Sequence, residues 1–345
     1  MGETNKKLSI IIPCYNCEKT IGRLLDSILD NHLDKDIYDV IICDDRSIDN
    51  FMDIVKSYED RINFIYCTTT REFHCPGNTR QAALPYIDGE WFTFIDNDDM
   101  FEPDVFKTVF KCIEDNKLEY TLVTAFREYF PETGEYGRTF SKDDSDTWLH
   151  GKFFNRVNTL EKFNCHFKDD MFSHEDLYFN SMNLGHIVNM GRDYDYLDVY
   201  TYKWSYNMES LSRSYFNKKD YYIETYLDDY IVGASHPYFD MFNNTQSDDT
   251  KMFAWNQIEM TLLHAYFYYQ ASLWRLGPDD ALASGYDAIK AFKRKMIKEL
   301  KVTMEDIVGY IYMNPERYDR VKAISRNGSN AFVESQSFRD FILNL

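Results

Sequence analysis

Glycine and proline are scarce in this chain, with 14 and 8 residues among 345. So few of either excludes a collagen-like repeat and a Pro/Gly-rich low-complexity sequence. No run of about 18 apolar residues occurs, which argues against a membrane-spanning helix. The first apolar run, residues 8–12, has the length of a strand and is too short for a signal peptide.

Positive charge is also in deficit, because 38 Lys and Arg face 57 Asp and Glu and give a net charge of −19. General binding to nucleic acid needs a positive field, so we do not expect it. The seven cysteines are an odd number spread along a long chain. A reducing compartment fits that usage best, and we expect a cytoplasmic protein.

What the chain has in quantity is apolar and aromatic sequence, at 44% and 17% of its residues. That content excludes a disordered polymer. A length of 345 residues allows a large core and suggests two or three structural units.

The first third alternates short apolar runs with helical periodicity. Four runs are predicted as strands: residues 8–12, 38–43, 62–66 and 91–95. Helices are predicted after Thr20 as the N-cap, around residues 54–58 and at about 78–86. This alternation predicts an α/β fold with a mainly parallel, doubly wound sheet and helices on both faces.

The rest of the chain changes character twice. Residues 122–129 and 136–140 predict a hairpin around Gly134. Residues 255–269 predict a helix that stops at Gly277 and Pro278. The next helix is expected to bring its apolar residues to one face and its basic residues elsewhere, the apolar set being Ile289, Phe292, Met296, Ile297 and Leu300. We expect three parts: residues 1–125, residues 126–225 and a helical C-terminal module, residues 226–345.

Two acidic clusters follow predicted strands, Asp44 with Asp45 and the run from Asp96 to Asp99. Ligands of doubly wound sheets bind at the carboxyl ends of the strands. Carboxylates gathered there repel one another unless a cation, a proton or a hydrogen-bond donor offsets their charge. Mg²⁺ or Mn²⁺ held by one or two carboxylates and by phosphate oxygens would do so. The pattern suits a metal-bound nucleotide diphosphate, although acidic turns can also be merely solvated.

The usual phosphate-binding motifs are missing. The chain contains neither the G-x-x-x-x-G-K-[ST] loop nor the G-x-G-x-x-G loop. A P-loop NTPase and a dinucleotide dehydrogenase are therefore disfavoured. A nucleotide held through carboxylates and a metal, without a glycine-rich cradle, remains.

Four segments resemble a known family in their order and spacing: residues 9–16 (SIIIPCYN), 40–49 (VIICDDRSID), 79–84 (TRQAAL) and 89–99 (GEWFTFIDNDD). They resemble the family 2 glycosyltransferases. The resemblance implies a GT-A fold with a Rossmann-like sheet. It also implies a metal-dependent, inverting, hexosyltransferase-type activity that uses a nucleotide-diphosphate sugar, here a UDP-sugar, and an acceptor hydroxyl.

The resemblance also assigns roles to individual residues. Pro13 and Tyr15 would line the pocket for the nucleotide base and the ribose. Asp45 or Asp44 would accept a hydrogen bond from the nucleotide base. Arg80 would lie near the base or the diphosphate. The implied donor-binding set is completed by two residues of the acidic turn, Asp96 and Asn97.

The metal and the base follow from the same resemblance. Asp98, with Asp96 nearby, would hold Mn²⁺ or Mg²⁺ in a motif of the DXD type, and Asp99 is an additional acid. Asp176, next to Glu175, matches the catalytic base. His174 would tune that base or touch the acceptor, or be an ordinary polar residue at a helix start.

The sequence departs from the family pattern in three places, one of which is the acidic turn, where it reads Asp-Asn-Asp-Asp. Where the family often reads Ala-Arg-Asn-x-Gly, this chain keeps Arg80 but continues with Gln81 and Ala83. Where many members carry His, Asn207 is the nearest match and a candidate diphosphate contact.

Other functions remain open from the residues. Cys14 and Cys17, spaced as C-x-x-C between a strand and a helix, also fit a redox motif. A GT-A-like nucleotidyltransferase would want the same carboxylates, and a non-catalytic nucleotide-sugar or glycan binding protein would want the same pocket. The expected partners are the donor and a glycan or other hydroxyl-bearing acceptor.

Overall fold

The computed structural model describes residues 6–70, 75–142, 147–169, 171–207, 227–276, 278–303 and 335–344. The chain forms two compact units, residues 1–208 and 209–345. The boundary expected at residue 225 lies outside the described residues. The strands on either side of the boundary expected at residue 125 belong to one sheet, and the three-part division stays a prediction.

The first unit is built on one nine-stranded sheet. Its order is β3-β2-β1-β4-β8-β6-β9-β5, and β7 pairs with β6. The strands are β1 (Leu8–Cys14), β2 (Tyr38–Asp44), β3 (Phe64–Thr68), β4 (Trp91–Phe94), β5 (Met100–Phe101), β6 (Thr121–Phe130), β7 (Glu135–Phe140), β8 (Lys152–Asn155) and β9 (Asp195–Ser205).

The first four strands are parallel, and their carboxyl ends lie at one edge of the sheet. Each residue of β1 is fully or almost fully buried, as is most of β2. Continuous apolar runs are what a parallel strand covered on both faces requires. The sequence prediction of a mainly parallel α/β sheet is therefore confirmed.

Helices connect these strands. They are α1 (Ile21–Leu29), α2 (Phe51–Lys56), α3 (Pro76–Ala83), α4 (Phe106–Asn116) and α5 (Glu175–Asn189), with a π-helix at Val157–Lys162. The buried face of α1 consists of Ile21, Leu24, Leu25, Ser27 and Ile28, so the predicted amphipathic spacing packs on the sheet.

Local details differ from the sequence predictions. The third strand begins two residues later than expected, at Phe64. Helix α3 begins at Pro76 rather than Asn78 and gives way to a 3₁₀ turn at Leu84–Tyr86. Thr20 occupies the N-cap position of α1 without capping it, because its hydroxyl donates to the Cys17 carbonyl oxygen at 3.3 Å.

The predicted hairpin is β6 and β7, joined through Gly134, whose φ is 73°. Strand β8 enters the sheet antiparallel to β4, with Phe92 opposite Phe154. Because antiparallel partners run in opposite directions, the residues before β8 lie beside those after β4. This pairing brings His150 next to the acidic turn.

The second unit is helical where it is described, with α6 (Leu227–Asn244), α7 (Asp248–Leu276), α8 (Pro278–Leu300) and α9 (Ser335–Asn344). Its buried core includes Phe239 of α6, Leu262 of α7 and Phe292 of α8. Ile297, expected on the apolar face of α8, is 38% exposed, because it is turned about 100° from the buried Met296. No described helix combines the length and apolar character needed to cross a bilayer.

Candidate active site

The acidic turn after β4 is held against β1 and α1. The Asn97 side-chain amide donates to the Pro13 carbonyl oxygen at 2.9 Å. The Arg23 guanidinium donates to the Asp98 carbonyl oxygen at 2.5 Å. These contacts fix the turn at the carboxyl edge of the parallel strands, where ligands bind in folds of this kind.

Arg80 joins the acidic turn to the predicted catalytic acids. It lies on α3, its side chain is only 7% exposed, and its guanidinium donates to Asp96 Oδ1 at 2.5 Å and to Glu175 Oε1 at 2.6 Å. A buried guanidinium is stable only with such partners. Burial opposes its charge, but the carboxylates of Asp96 and Glu175 raise the pKa of Arg80 above its usual value.

Gly77 permits the close approach of α3 to the start of α5. A Cβ atom at this position would lie 2.9 Å from both Cβ and Cγ of Glu175. The absence of a side chain therefore lets Arg80, one turn further along α3, reach Glu175. Gln81 adds a second link, because its side-chain oxygen accepts a hydrogen bond from the Phe167 backbone N–H at 2.8 Å.

The acids of the turn differ in their electrostatic surroundings. Burial favours the neutral form of Asp96, but Arg80 and His150 outweigh it and hold the pKa of Asp96 below its usual range. Burial and the charge of Asp96 raise the pKa of Asp98. Burial and the charges of Asp98 and Asp96 raise the pKa of Asp99 well above the usual value. One acid of this turn is thus paired, and two need a further positive partner to ionise easily.

Strand β9 supplies the partners of Asp98 and Asp99. The Tyr202 hydroxyl donates to Asp99 Oδ2 at 2.5 Å, and the Ser205 backbone N–H donates to Asp99 Oδ1 at 2.7 Å. Just beyond the strand, the Asn207 amide donates to Asp98 Oδ2 at 3.2 Å. Asn207 therefore does lie at the acidic turn.

His150 also belongs to this group, although the sequence analysis did not predict it as a site residue. Its Nε2 lies 3.7 Å from Asp96 Oδ2, and its ring stacks on Tyr202 with centroids 4.5 Å apart. Its Nδ1 is buried without a hydrogen-bond partner among the described residues. No motif marks this histidine, and only the antiparallel pairing of β8 with β4 would have located it.

The donor atoms present fit a divalent cation. Asp96, Asp99 and His150 each offer one ligand atom, and these atoms lie within 4.8 Å of one another. Carboxylates suit Mg²⁺ and Mn²⁺, and an imidazole is more typical of transition metals, so the set favours Mn²⁺. Asp98, the predicted metal ligand, is not a member of this triplet. It lies one residue from Asp99 in the same turn.

The predicted base and its neighbour begin helix α5, where the helix dipole favours carboxylates. Glu175 is paired with Arg80, whereas Asp176 accepts a hydrogen bond from the Leu177 backbone N–H at 2.8 Å. Burial and the charge of Glu175 raise the pKa of Asp176 to about 7. A carboxyl of that pKa can take up and release a proton near neutral pH.

His174 lies at the N-cap position of α5 in the left-handed region, with a φ of 58°. Its Nδ1 is 2.9 Å from the Ser173 hydroxyl oxygen. Burial lowers its pKa to about 4, so the imidazole is neutral at pH 7. It therefore carries no charge to offset that of Asp176.

The residues predicted to line the pocket for the nucleotide base form a second group, at the ends of β1 and β2. Asp45 is almost fully buried, with Arg46 3.9 Å away, while Asp44 accepts from the Ser47 backbone N–H at 2.9 Å. Two backbone-to-side-chain bonds tie the loop after β1 to the loop after β2: Asn16 N–H to the Ser47 hydroxyl, and Ile48 N–H to the Asn16 side-chain oxygen. Tyr15, beside them, is 46% exposed and accessible to a ligand.

The C-x-x-C pair, Cys14 and Cys17, lacks the surroundings of a redox centre. All seven cysteines are free thiols, and both residues of this pair are buried. Burial raises the pKa of Cys14 well above its usual value, and the neighbouring Cys17 adds to the effect. A reactive cysteine needs the opposite shift, so this geometry argues against the redox alternative.

Comparison with known proteins identifies the first unit. The sequence profile of glycosyl transferase family 2 matches residues 9–176. This unit carries a family 2 glycosyltransferase domain. The match covers the acidic turn, Arg80, His150 and the start of α5, whereas the partners that β9 and Asn207 supply lie beyond it.

Two curated relatives are named for transfer to poly(ribitol phosphate). One is the poly(ribitol-phosphate) beta-N-acetylglucosaminyltransferase TarS of Staphylococcus aureus, 26% identical over 229 residues, which are 63% of this chain and 39% of TarS. The other is the poly(ribitol-phosphate) beta-glucosyltransferase of Bacillus spizizenii, 32% identical over 117 residues, which are 34% of this chain and 18% of that protein. The chain thus matches well under half the length of either relative.

A crystal structure of S. aureus TarS 1–349 in complex with UDP-GlcNAc has a similar fold. The TM-score is 0.71, with 18% identity, 98% of this chain and 91% of that chain covered. At this identity the likeness concerns the fold alone. It confirms the predicted GT-A fold, followed by a helical C-terminal region.

Proposed function

We propose that this chain is a metal-dependent, inverting glycosyltransferase that moves a sugar from a UDP-sugar to an acceptor hydroxyl. The family 2 domain supports glycosyl transfer. Of the finer assignments, the UDP-sugar and the inversion are inferred from the resemblance of the sequence motifs to the family, and the metal from that resemblance together with the acids of the site.

The observation that carries the proposal is the buried bridge through Arg80. One guanidinium contacts Asp96, at the end of β4, and Glu175, directly before Asp176. Arg80 therefore couples the predicted donor-binding acid to the predicted base. Coupling of this kind supports a single reaction centre, because donor and base must be held in fixed relation for an in-line displacement.

On the donor side, Asp45 or Asp44 would accept a hydrogen bond from the base, and Pro13 and Tyr15 would flank the nucleoside. Asp96 and Asn97 would contact the ribose, and Asn207 would approach the diphosphate. A nucleotide base between the ends of β1 and β2 would find one buried carboxylate and one exposed ring, at Asp45 and Tyr15.

On the acceptor side, Asp176 would remove the proton of the attacking hydroxyl. A hydroxyl is a weak nucleophile until a positioned carboxylate takes its proton. A pKa of about 7 suits this task, because the ionised form is available at neutral pH and is still basic. Glu175 would act on Asp176 through its charge and through its bond to Arg80.

A divalent cation, Mn²⁺ or Mg²⁺, would neutralise charge developing on the leaving diphosphate. Asp96, Asp98, Asp99 and His150 are the residues that would hold it. The raised pKa values of Asp98 and Asp99 support this, since a bound cation would supply the positive charge they lack.

For the acceptor we propose a hydroxyl on a polyol-phosphate chain, since both curated relatives are named for such an acceptor. We also propose a cytoplasmic location. Seven free cysteines support it, because thiols persist in reducing compartments.

The test measures binding of a panel of nucleotide sugars by thermal shift and by calorimetry. Each measurement is made with Mn²⁺, with Mg²⁺ and with a chelator. We expect UDP-sugars to raise the melting temperature, Mn²⁺ to increase the shift and the chelator to abolish most of it. Donor affinity that is the same with and without the chelator would exclude a role for the metal in donor binding. Tighter binding of a different nucleotide would exclude UDP as the nucleotide of the donor.

Product analysis separates the competing functions. The proposed inverting glycosyltransferase would release UDP and invert the configuration of the anomeric carbon, which NMR of the product would show. A nucleotidyltransferase would instead release pyrophosphate from a nucleoside triphosphate and a sugar phosphate. Donor binding without any product would favour the non-catalytic binding protein.

A further inference from the structure

Helix α8 carries a concentration of positive charge in an acidic chain. Residues 287–301 include six Lys or Arg and two acids, in a chain whose net charge is −19. The remainder of the chain is therefore even more acidic than the total. A polyanion approaching this protein would be repelled by most of it and attracted to this segment.

Four of these cations form one stripe: Lys290, Arg294, Lys298 and Lys301. The first three are spaced by four residues, which places them on one face of α8 at intervals of about 6 Å, and Lys301 follows directly after the helix ends at Leu300. Arg294, Lys298 and Lys301 are exposed, and Lys290 is partly exposed with its ammonium 5.6 Å from the Tyr286 ring centre.

The cations of the stripe are unpaired within the part of the chain that the structure describes. None of the four makes an ion pair there, whereas other cations of α8 are engaged. Lys293, for example, donates to the Ile342 carbonyl oxygen at 2.8 Å, and Lys295 lies 4.6 Å from the Phe239 ring centre. The other two basic residues of the helix are thus engaged within the unit, whereas among the described cations of the stripe only Lys290 has a contact of this kind, with Tyr286.

We infer that this cationic stripe binds a chain of repeated phosphodiesters, that is, the polyol-phosphate acceptor. The inference rests on the acceptor class proposed above but not on catalysis by this chain. A linear row of like charges at regular spacing complements a flexible chain that carries one negative charge per repeat. Binding there would hold successive repeats close to the protein by several weak contacts.

A membrane surface fits the stripe less well. Helices that lie in a membrane interface present an apolar face to the lipid. The apolar residues Ile289, Phe292 and Met296 of α8 are instead buried within the second unit. Ile297, at 38% exposed, is the one large apolar side chain exposed among the described side chains of α8.

The test is fluorescence anisotropy of the full chain with a labelled synthetic oligomer of ribitol phosphate, measured over a series of salt concentrations. The variant replaces all four cations with Gln: Lys290, Arg294, Lys298 and Lys301. The matched control makes the same four-charge change at exposed lysines of the first unit: Lys56, Lys107, Lys162 and Lys168.

We expect the wild type to bind the oligomer with an affinity that falls steeply with salt, as release of counterions requires. The stripe variant should lose at least about tenfold in affinity at low salt and show a shallower salt dependence, since about four phosphate contacts are removed. The control should stay within about threefold of the wild type. Equal loss in both variants would reduce the effect to net charge and overturn the inference.

Three further outcomes would also overturn it. They are unchanged binding in the stripe variant, binding of the wild type to anionic vesicles but not to the oligomer, and equal binding of a single-stranded DNA oligomer. Donor binding, measured by thermal shift with UDP-sugar, serves as the separate reading. If the wild type does not bind UDP-sugar, the proposed function fails. If the wild type binds UDP-sugar but not the oligomer, only the inference about the stripe fails.

Discussion

The acidic turn and the start of α5 each contain a pair of nearby acids, Asp96 with Asp98 and Glu175 with Asp176. The two pairs resemble each other in their contacts with Arg80, but they differ in the other groups that surround them. In each region one carboxylate is bound to Arg80, Asp96 in the turn and Glu175 in the helix. In each region another acid, Asp98 or Asp176, has a raised pKa. The shared arginine therefore divides each pair into a fixed charge and an acid available for chemistry.

The difference between the regions lies in what completes them. The turn contains a second acid with a raised pKa, Asp99, and His150 lies beside it. Atoms of both residues and of Asp96 lie close enough together to hold one cation. Asp176 has Glu175, Arg80 and a backbone N–H beside it, and the described residues offer it no such ligand set. Clustered oxygen and nitrogen ligands suit a metal, whereas a single acid with a pKa of about 7 suits a proton. We therefore propose that similar residues take different roles because their surroundings differ.

The largest effect is expected from breaking what the two regions share. Arg80→Met would leave the buried Glu175 and the partly buried Asp96 without their partner, at a cost of about 3–5 kcal/mol. We expect a large fall in melting temperature, measured by calorimetry, and no detectable transfer.

Arg80→Lys is the matched control. It keeps the charge but cannot reach both carboxylates with one planar fork. It should recover much of the stability and little of the activity. If Arg80→Met were as stable as the wild type, the bridge would not stabilise the site.

Removing the acid left for the cation should affect the donor alone. Asp98→Asn should lower affinity for UDP-sugar in Mn²⁺ by at least about tenfold, as loss of a charged contact worth about 1.5–3 kcal/mol implies. Calorimetry measures the affinity, with Asp53→Asn on the exposed side of α2 as the control. The same affinity for wild type and variant, with the same chelator response, would remove Asp98 from the metal site.

The fold was largely predictable from sequence, and the reason is local. Strands β1 and β2 are continuous apolar runs, and α1 has a clear amphipathic period, so neither needs information from distant residues. The start of β3 was misplaced because Ile62 is buried in the turn before the strand and so extends the apolar run.

The site was predictable only where motifs report it. Asp96, Asp98 and Asp176 lie in segments that resemble the family, and the structure places them near Arg80 or its partners. His150 has no motif, and its position follows from strand pairing in which Phe92 lies opposite Phe154, 62 residues further along the chain. The sharing of Arg80 between two acids likewise depends on Gly77 and on how α3 meets α5.

The pH profile should separate the two regions further. If Asp176 must be ionised, kcat/KM should rise about tenfold per pH unit below its pKa of about 7 and level off above it. Donor binding, measured over the same range, should lack this step. A profile flat from pH 5 to 8 would contradict the role of Asp176.

The same shift has a consequence for stability. The pKa of Asp176 is raised in the folded chain, so its contribution is full below the ordinary value of 3.8 and is lost as the pH rises through about 7. The melting temperature of Asp176→Asn should therefore gain on that of the wild type between pH 5 and pH 8.

A smaller effect is expected where α3 meets α5. Gly77→Ala would place a methyl group 2.9 Å from Glu175 and should cost about 1–3 kcal/mol, with a several-fold loss of transfer. Gly22→Ala in α1 is the control, because its nearest neighbours would be 3.7 and 3.8 Å away. It should be neutral or stabilise by up to about 1 kcal/mol. Equal effects in chemical denaturation would show that the close approach is unimportant.

The most direct test of the division between the two regions is Asp176→Asn, with donor affinity and transfer rate measured on the same preparation. The substitution keeps the shape of the side chain and removes its ability to take a proton. We predict unchanged affinity for UDP-sugar and a loss of about 10²–10⁴-fold in transfer, the usual contribution of a general base. Transfer at the wild-type rate, or loss of donor binding along with transfer, would contradict the assignment of separate roles to the turn and the helix.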